Sequence, residues 1–171
     1  MAAETAYTRF LRDPDLTARR AELEAYVGRN PGPFLKMYDR LRAAPEKPGS
    51  AMFSFVALAF FLGPVWFFYR KAYAWAWGIV VLQVVLIALP VGRGAGIGLA
   101  VALSMIGRYA YLQHAIGRIS KLRGQNAVAD LTRLAQAGGV SPTAGWVSAL
   151  AYVGLAALSV LAVMLLDPGA A

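Results

Sequence analysis

"AFFLGPVWFFYRKAYAWAW" (Ala59–Trp77) is the stretch on which the fold turns. Nine of its nineteen residues are aromatic, Gly63-Pro64 interrupts its first half, and Arg70-Lys71 sits in its second half. Two adjacent cations inside so apolar a run suit the depth of lipid headgroups. Trp and Tyr rings are favoured there, and Lys and Arg mark the cytoplasmic face.

Working outward, apolar runs continue on both sides. Ala72–Gly92 holds 21 residues without a charge and Ala144–Leu166 holds 23. Both meet the length of about 20 residues that a helix needs to cross a bilayer. Gly94–Gly107 is shorter and reaches that length if Arg108 snorkels and the helix continues through Tyr109–Leu112. The run Ala51–Tyr69 is long enough to cross on paper. Its only breaker is Gly63-Pro64, and no turn residue stands at Arg70-Lys71.

Charge placement separates the two layouts. Four crossings would put ten Lys/Arg inside and seven outside. If Ala51–Gly63 does not cross, the inner side holds nine cations from residues 1–50, Arg70 and Lys71, and five from 108–143. Arg93 then stands alone outside. The positive-inside tendency favours this second layout. The thirteen residues 51–63 are too short to span and suit a re-entrant or interfacial helix.

The expected fold is therefore an all-α membrane protein. Three transmembrane helices (65–92, 94–112 and 144–166) join the re-entrant or interfacial helix at 51–63. A cytoplasmic helical extension covers 1–50, a cytoplasmic amphipathic segment covers 113–143, and 167–171 form a short periplasmic tail. In the extension, Asp13 or Asp15 offers an N-cap and Gly28 an end, with Leu16, Leu23, Tyr26 and Val27 on one stripe. Phe34, Leu35, Tyr38 and Leu41 share a face of the next helix. Pro45, Pro48 and Gly49 mark a linker. In 113–143, Ile116, Ile119 and Leu122, then Val128, Leu131 and Leu134, make amphipathic patterns. Gly138-Gly139 ends the second, and Ser141-Pro142 supplies N-cap and N1 for the last span. No secretory signal or transit peptide is expected, because the first residues lack a basic-then-apolar pattern and carry acids.

The composition excludes several chemistries. The chain is 58% hydrophobic and 15% charged, with a net charge of +8 and no cysteine. No disulfide or thiolate metal site is available. Between Lys47 and Ala129 there are eight cations and no acid. These cations flank apolar runs, which points to anionic headgroups rather than nucleic acid. The runs 72–92 and 144–166 contain no ionisable group, tyrosines aside. Gln83 reads as a helix–helix hydrogen bond. His114, the single histidine, has no Asp or Glu near it in sequence and reads as an interfacial histidine, not a ligand or base. Gly92–Gly98 lacks the phosphate-loop spacing and reads as an outside turn. No catalytic residue, cofactor or metal is expected.

The central run resembles a family of small bacterial integral membrane proteins catalogued as a domain of unknown function. The matching signature is F-G-P-x-W-x-x-Y-R-K-x-Y, carried here by Gly63, Pro64, Trp66, Tyr69, Arg70, Lys71 and Tyr73, with Leu62 where the family more often has Phe. Val27-Gly28-Arg29-Asn30, Tyr111–His114 and Gly138–Ser141 extend the resemblance over roughly residues 20–145. It implies a bacterial inner-membrane location and brings no activity. Those seven central residues are the expected interface with lipid headgroups or a protein partner. The expected function is that of a non-enzymatic lipid- or protein-interacting accessory or assembly component, as a homo-oligomer or with a partner. A small oligomeric transporter or channel is the alternative.

Overall fold

A computed structural model describes residues 5–43, 49, 53–56, 59, 63–88, 94–125 and 130–166. Among these residues the chain is all-helical. α1 is Ala6–Arg12, α2 Leu16–Val27, α3 Gly32–Ala43, α4 Pro64–Tyr69, α5 Tyr73–Ala88, α6 Gly94–Gln125, α7 Leu131–Ala137 and α8 Pro142–Leu166. The linker at Pro45 and Pro48, Val128, and the tail 167–171 lie outside the described residues.

Short polar side chains start the helices by accepting orphan backbone N–H groups. Asp15 accepts from the N–H of Ala18 at 2.9 Å, Asp130 from Thr132 at 2.9 Å, and Ser141 from Ala144 at 3.2 Å. Pro142 follows Ser141 as the first residue of α8, where its missing N–H costs nothing. Gly28, at φ 64°, closes α2.

The packed centre is a polar-faced bundle around the second half of α6. Phe10 and Leu11 of α1, Leu23 and Val27 of α2, and Phe34, Tyr38 and Leu41 of α3 are buried against Tyr111, Leu112, Ile116 and Ile119 of α6. Leu134 of α7 closes one side, resting on α2. The expected apolar face of α3 is thus the one buried. In α2 the stripe begins at Leu23, since Leu16 stays exposed. Arg19 and Glu22 are also buried and pair with each other, and Arg19 Nε lies 3.3 Å from Asp13.

The other half of the molecule is turned inside out. α5, α8 and the first half of α6 leave large apolar residues exposed, among them Trp77, Val81 and Val84, Ile97, and Trp146, Leu150 and Val153. Gln83 Nε2 donates to the Tyr152 hydroxyl at 3.3 Å between α5 and α8.

Three boundaries differ from the sequence-based reading. The expected single helix 65–92 breaks at Arg70–Ala72 into α4 and α5. The second expected span does not stop at 112, because α6 runs on through Gln125, about 48 Å in all. In the 51–63 segment, residues 53–56 are not helical. Backbone N–H groups of Ser54 and Val56 donate to the Met105 and Ser104 carbonyls of α6, each at 2.8 Å. Arg108 bonds Ser54 Oγ and lies over the Phe34 ring at 5.8 Å. Among the described residues, no helix is long and apolar enough to cross a membrane.

Candidate functional site: the Arg70–Lys71 turn

The break at Arg70–Ala72 is a helix end made without glycine. Lys71 adopts φ 56°, a left-handed conformation. Its N–H donates to the Phe68 carbonyl at 3.1 Å, and the N–H of Ala72 donates to Phe67 at 2.9 Å. These two bonds are the Schellman pattern, with the buried Ala72 and Phe67 forming its apolar contact. A Lys in this conformation costs roughly 1 kcal/mol that glycine would not. The chain reverses here. A Cβ on Gly63 would lie 3.6 Å from Gln83 Nε2, so the start of α4 returns to the middle of α5.

Tertiary bonds from both cations hold the turn. Arg70 Nη1 donates to the carbonyls of Val27 at 3.2 Å and Arg29 at 3.0 Å. Its guanidinium lies 4.8 Å from the Phe34 ring centroid and 5.5 Å from that of Tyr111. Its Nε makes no hydrogen bond, and the two π-faces offset the missing acceptor. Lys71 Nζ donates to the Gly138 carbonyl at 2.7 Å and to Gln136 at 3.4 Å. Val27 ends α2, and Gln136–Gly138 end α7. Both cations therefore sit at the negative ends of helix dipoles, where exposed carbonyls await donors.

Backbone contacts complete the junction. The N–H of Gly139 donates to Tyr26 at 2.6 Å, and the N–H of Ser141 donates to Tyr69 at 2.8 Å. At Gly138 a Cβ would fall inside the Tyr26 carbonyl group. At Gly28 it would lie 3.1 Å from Gly139 Cα. The α2 and α7 ends can approach this closely only because no side chain stands between them.

The seven expected interface residues thus have separate fates. Gly63, Pro64 and Trp66 are buried, Trp66 with its ring 4.9 Å from Phe67 and 5.9 Å from Tyr111. Tyr69 is half-buried beside Gly145. Arg70 is 7% exposed and faces inward, not toward a headgroup or an external surface. Lys71 is half-buried, and only Tyr73 is exposed. Burial corrects the placement of Arg70: its donors reach backbone carbonyls before they could reach a lipid.

The turn holds two cations and no carboxylate, so it has no acid–base pair. His114 is half-buried, its ring centroid 6.5 Å from that of Tyr111. Burial, and then the nearby Arg118, push its pKa down from the ordinary value. Among the described residues no three His, Asp or Glu side chains group to hold a metal ion. Sequence reading missed the buried Arg19–Glu22 pair, whose signal was an opposite-charge i,i+3 spacing inside α2. It also missed that Val27–Asn30, Arg70-Lys71, Tyr111–His114 and Gly138–Ser141, quoted separately in the resemblance, meet at one junction. The chain matches no protein-family model, no curated protein and no solved structure.

Proposed function

We propose that this chain is a non-enzymatic integral protein of the bacterial inner membrane. Its cytoplasmic head, α1–α3 with α7 and the end of α6, serves as a lipid- or protein-interacting accessory component. One observation carries the reading: the two halves sort their apolar residues in opposite ways. The head buries Phe10, Leu23, Tyr38 and Ile119, whereas α5, α8 and the start of α6 expose theirs. Contiguous exposed apolar area of this kind needs a cover, and a bilayer covers several helices at once.

The proposed layout keeps three crossings but moves the first to α5 and the apolar run that follows it, since the reversal at Arg70–Ala72 takes 65–69 out of it; the start of α6 and α8 make the other two, with 51–63 re-entrant or interfacial. α5 ends at Ala88 while its apolar sequence continues through Val91. α8, Pro142–Leu166, covers the whole of the 144–166 run. The mutual contacts of residues 27–29, 70–71 and 136–141 support one common side for them. That side is the one holding sixteen of the seventeen Lys/Arg. Arg108, pointing toward Phe34 of the head, fits a cation drawn to the same face.

Single-cysteine labelling tests this directly, since the chain has no Cys. Lys36→Cys and Thr132→Cys, both at exposed positions, should resist a membrane-impermeant thiol reagent in intact cells. Gly94→Cys and Gly169→Cys should react. Labelling of position 36 or 132 from outside would overturn the layout, and recovery of all four variants in the soluble fraction would overturn the membrane reading. Cross-linking after mild-detergent purification separates the accessory role, which yields a stoichiometric partner, from an oligomeric channel, which yields a homo-oligomer alone.

A further inference from the structure

A cavity of about 620 Å³ opens in the head between α1 and the end of α6. It exists because α6 presents Gly117 and Gly124 there, two turns apart on one face. A Cβ added at either would meet nothing within 4 Å. Two cations line it without a counter-ion among the described residues: Arg9 from α1 and Lys121 from α6. Both are exposed to solvent.

The other charges nearby balance one another. Asp13 at the cavity wall is 3.3 Å from Arg19 Nε and 3.8 Å from Arg123 Nη1. Arg123 Nε also lies 3.6 Å from Glu22, which pairs with Arg19. Two arginines and two carboxylates form a neutral quartet. Arg9 and Lys121 are left as a surplus of two positive charges, one on each helix, facing a space of small-molecule size. A carboxylate-neutralised floor with cations on both walls is suited to a compact dianion.

We propose that this cavity binds a phosphate-bearing ligand, with Arg9 and Lys121 as its charge partners and the glycine face of α6 as the space it fills. The ligand is a soluble phosphate ester or a phospholipid headgroup, and the two sources differ in how they reach the site. This inference does not depend on the membrane reading, because the cavity is built within the packed head.

The test uses the purified full chain in detergent micelles, titrated calorimetrically with inorganic pyrophosphate and with ATP. In parallel, the chain in nanodiscs of phosphatidylcholine is compared with nanodiscs containing phosphatidylglycerol. Arg9→Gln combined with Lys121→Gln removes the surplus charge. Gly124→Leu fills the cavity and leaves charge unchanged. Lys36→Gln, an exposed cation on α3, controls for general electrostatics. Either cavity variant should weaken binding by about tenfold or more, as expected for losing a charge-assisted contact, with Lys36→Gln near wild type. Binding of pyrophosphate or ATP identifies a soluble source. A gain from phosphatidylglycerol alone, lost in both cavity variants, identifies a headgroup. The proposal fails if no probe binds saturably, if Gly124→Leu binds as wild type does, or if Lys36→Gln weakens binding as much as the cavity variants. Unchanged circular dichroism and melting of each variant separate loss of the site from loss of the fold.

Discussion

Lys71 and Gly138 are joined by a 2.7 Å hydrogen bond from ammonium to carbonyl, and the neighbouring Arg70 makes the matching bonds to Val27 and Arg29. Adjacent side chains at one helix break thus cap two different helices, α2 and α7, whose ends also touch through Gly139 and Tyr26. The pair of cations in the apolar run is therefore a clamp, and its effect should register in stability.

Arg70→Lys keeps the charge but loses the planar guanidinium that lies against both Phe34 and Tyr111, and the shorter side chain cannot place its donor at Nη1, which reaches both carbonyls. A buried ammonium would be left partly unpaired, for a loss of about 2 kcal/mol. Denaturant titration in detergent, followed by far-UV circular dichroism, measures this. A Lys variant as stable as the wild type would mean that charge alone suffices and the bonding geometry contributes nothing.

Glycines give a sharper contrast. Gly138→Ala drives a methyl group into the Tyr26 carbonyl and should cost roughly 3 kcal/mol or more, because backbone must move on both sides. Gly117→Ala adds a methyl group to open space in mid-helix and should stabilise by up to about 1 kcal/mol. Thermal melting of the two variants should shift in opposite directions. A melt for Gly138→Ala at the wild-type temperature would contradict the close approach of α2 and α7.

Several helix ends were legible from standard punctuation: Asp13 or Asp15 as the cap of α2, which the structure gives to Asp15, Ser141 as the cap of α8, and Gly28 and Gly138-Gly139 as stops; α1, capped by Thr5, was not. The face Phe34, Leu35, Tyr38 and Leu41 was legible from spacing alone. The break at Arg70–Ala72 was not. "FFYRKAYA" contains no Gly, Pro or Asn, and Lys71 enters the left-handed region because Gly138 and Gln136 hold its ammonium from across the fold. Only a tertiary contact could reveal that turn. The inward direction of Arg70 was hidden for the same reason, since it depends on where Val27 and Phe34 end up.

His114 predicts a pH dependence. Its folded pKa lies below the ordinary value of 6.5, so the unfolded chain takes up a proton first as pH falls. The contribution to stability is intact above about pH 6.5 and is lost as pH drops toward the folded pKa. His114→Gln removes the titrating group and should flatten that part of the profile. Stability measured at pH 7.5 and at 5.5, wild type against variant, checks this. Equal slopes in the two proteins would show that His114 is not the group responsible. Abundance and localisation of the variant should match the wild type, since no chemistry is assigned to this ring.

Two exposed apolar residues test the proposed membrane placement of α8 against the head. Leu131 of α7 is 46% exposed and Val153 of α8 is 61% exposed, so contacts alone give neither a strong reason to be apolar. If α8 crosses the bilayer, an arginine at Val153 sits near the middle of the 144–166 run and costs about 3 kcal/mol on insertion. Val153→Arg should then lower the amount of protein in carbonate-washed membranes several-fold. Leu131→Arg, on the surface of the head, should leave that amount within error of the wild type. Quantitative immunoblotting of both variants decides the matter. Equal abundance of the two would mean that α8 tolerates a charge at its centre. The exposed apolar faces of α5 and α8 would then need a protein cover in place of lipid.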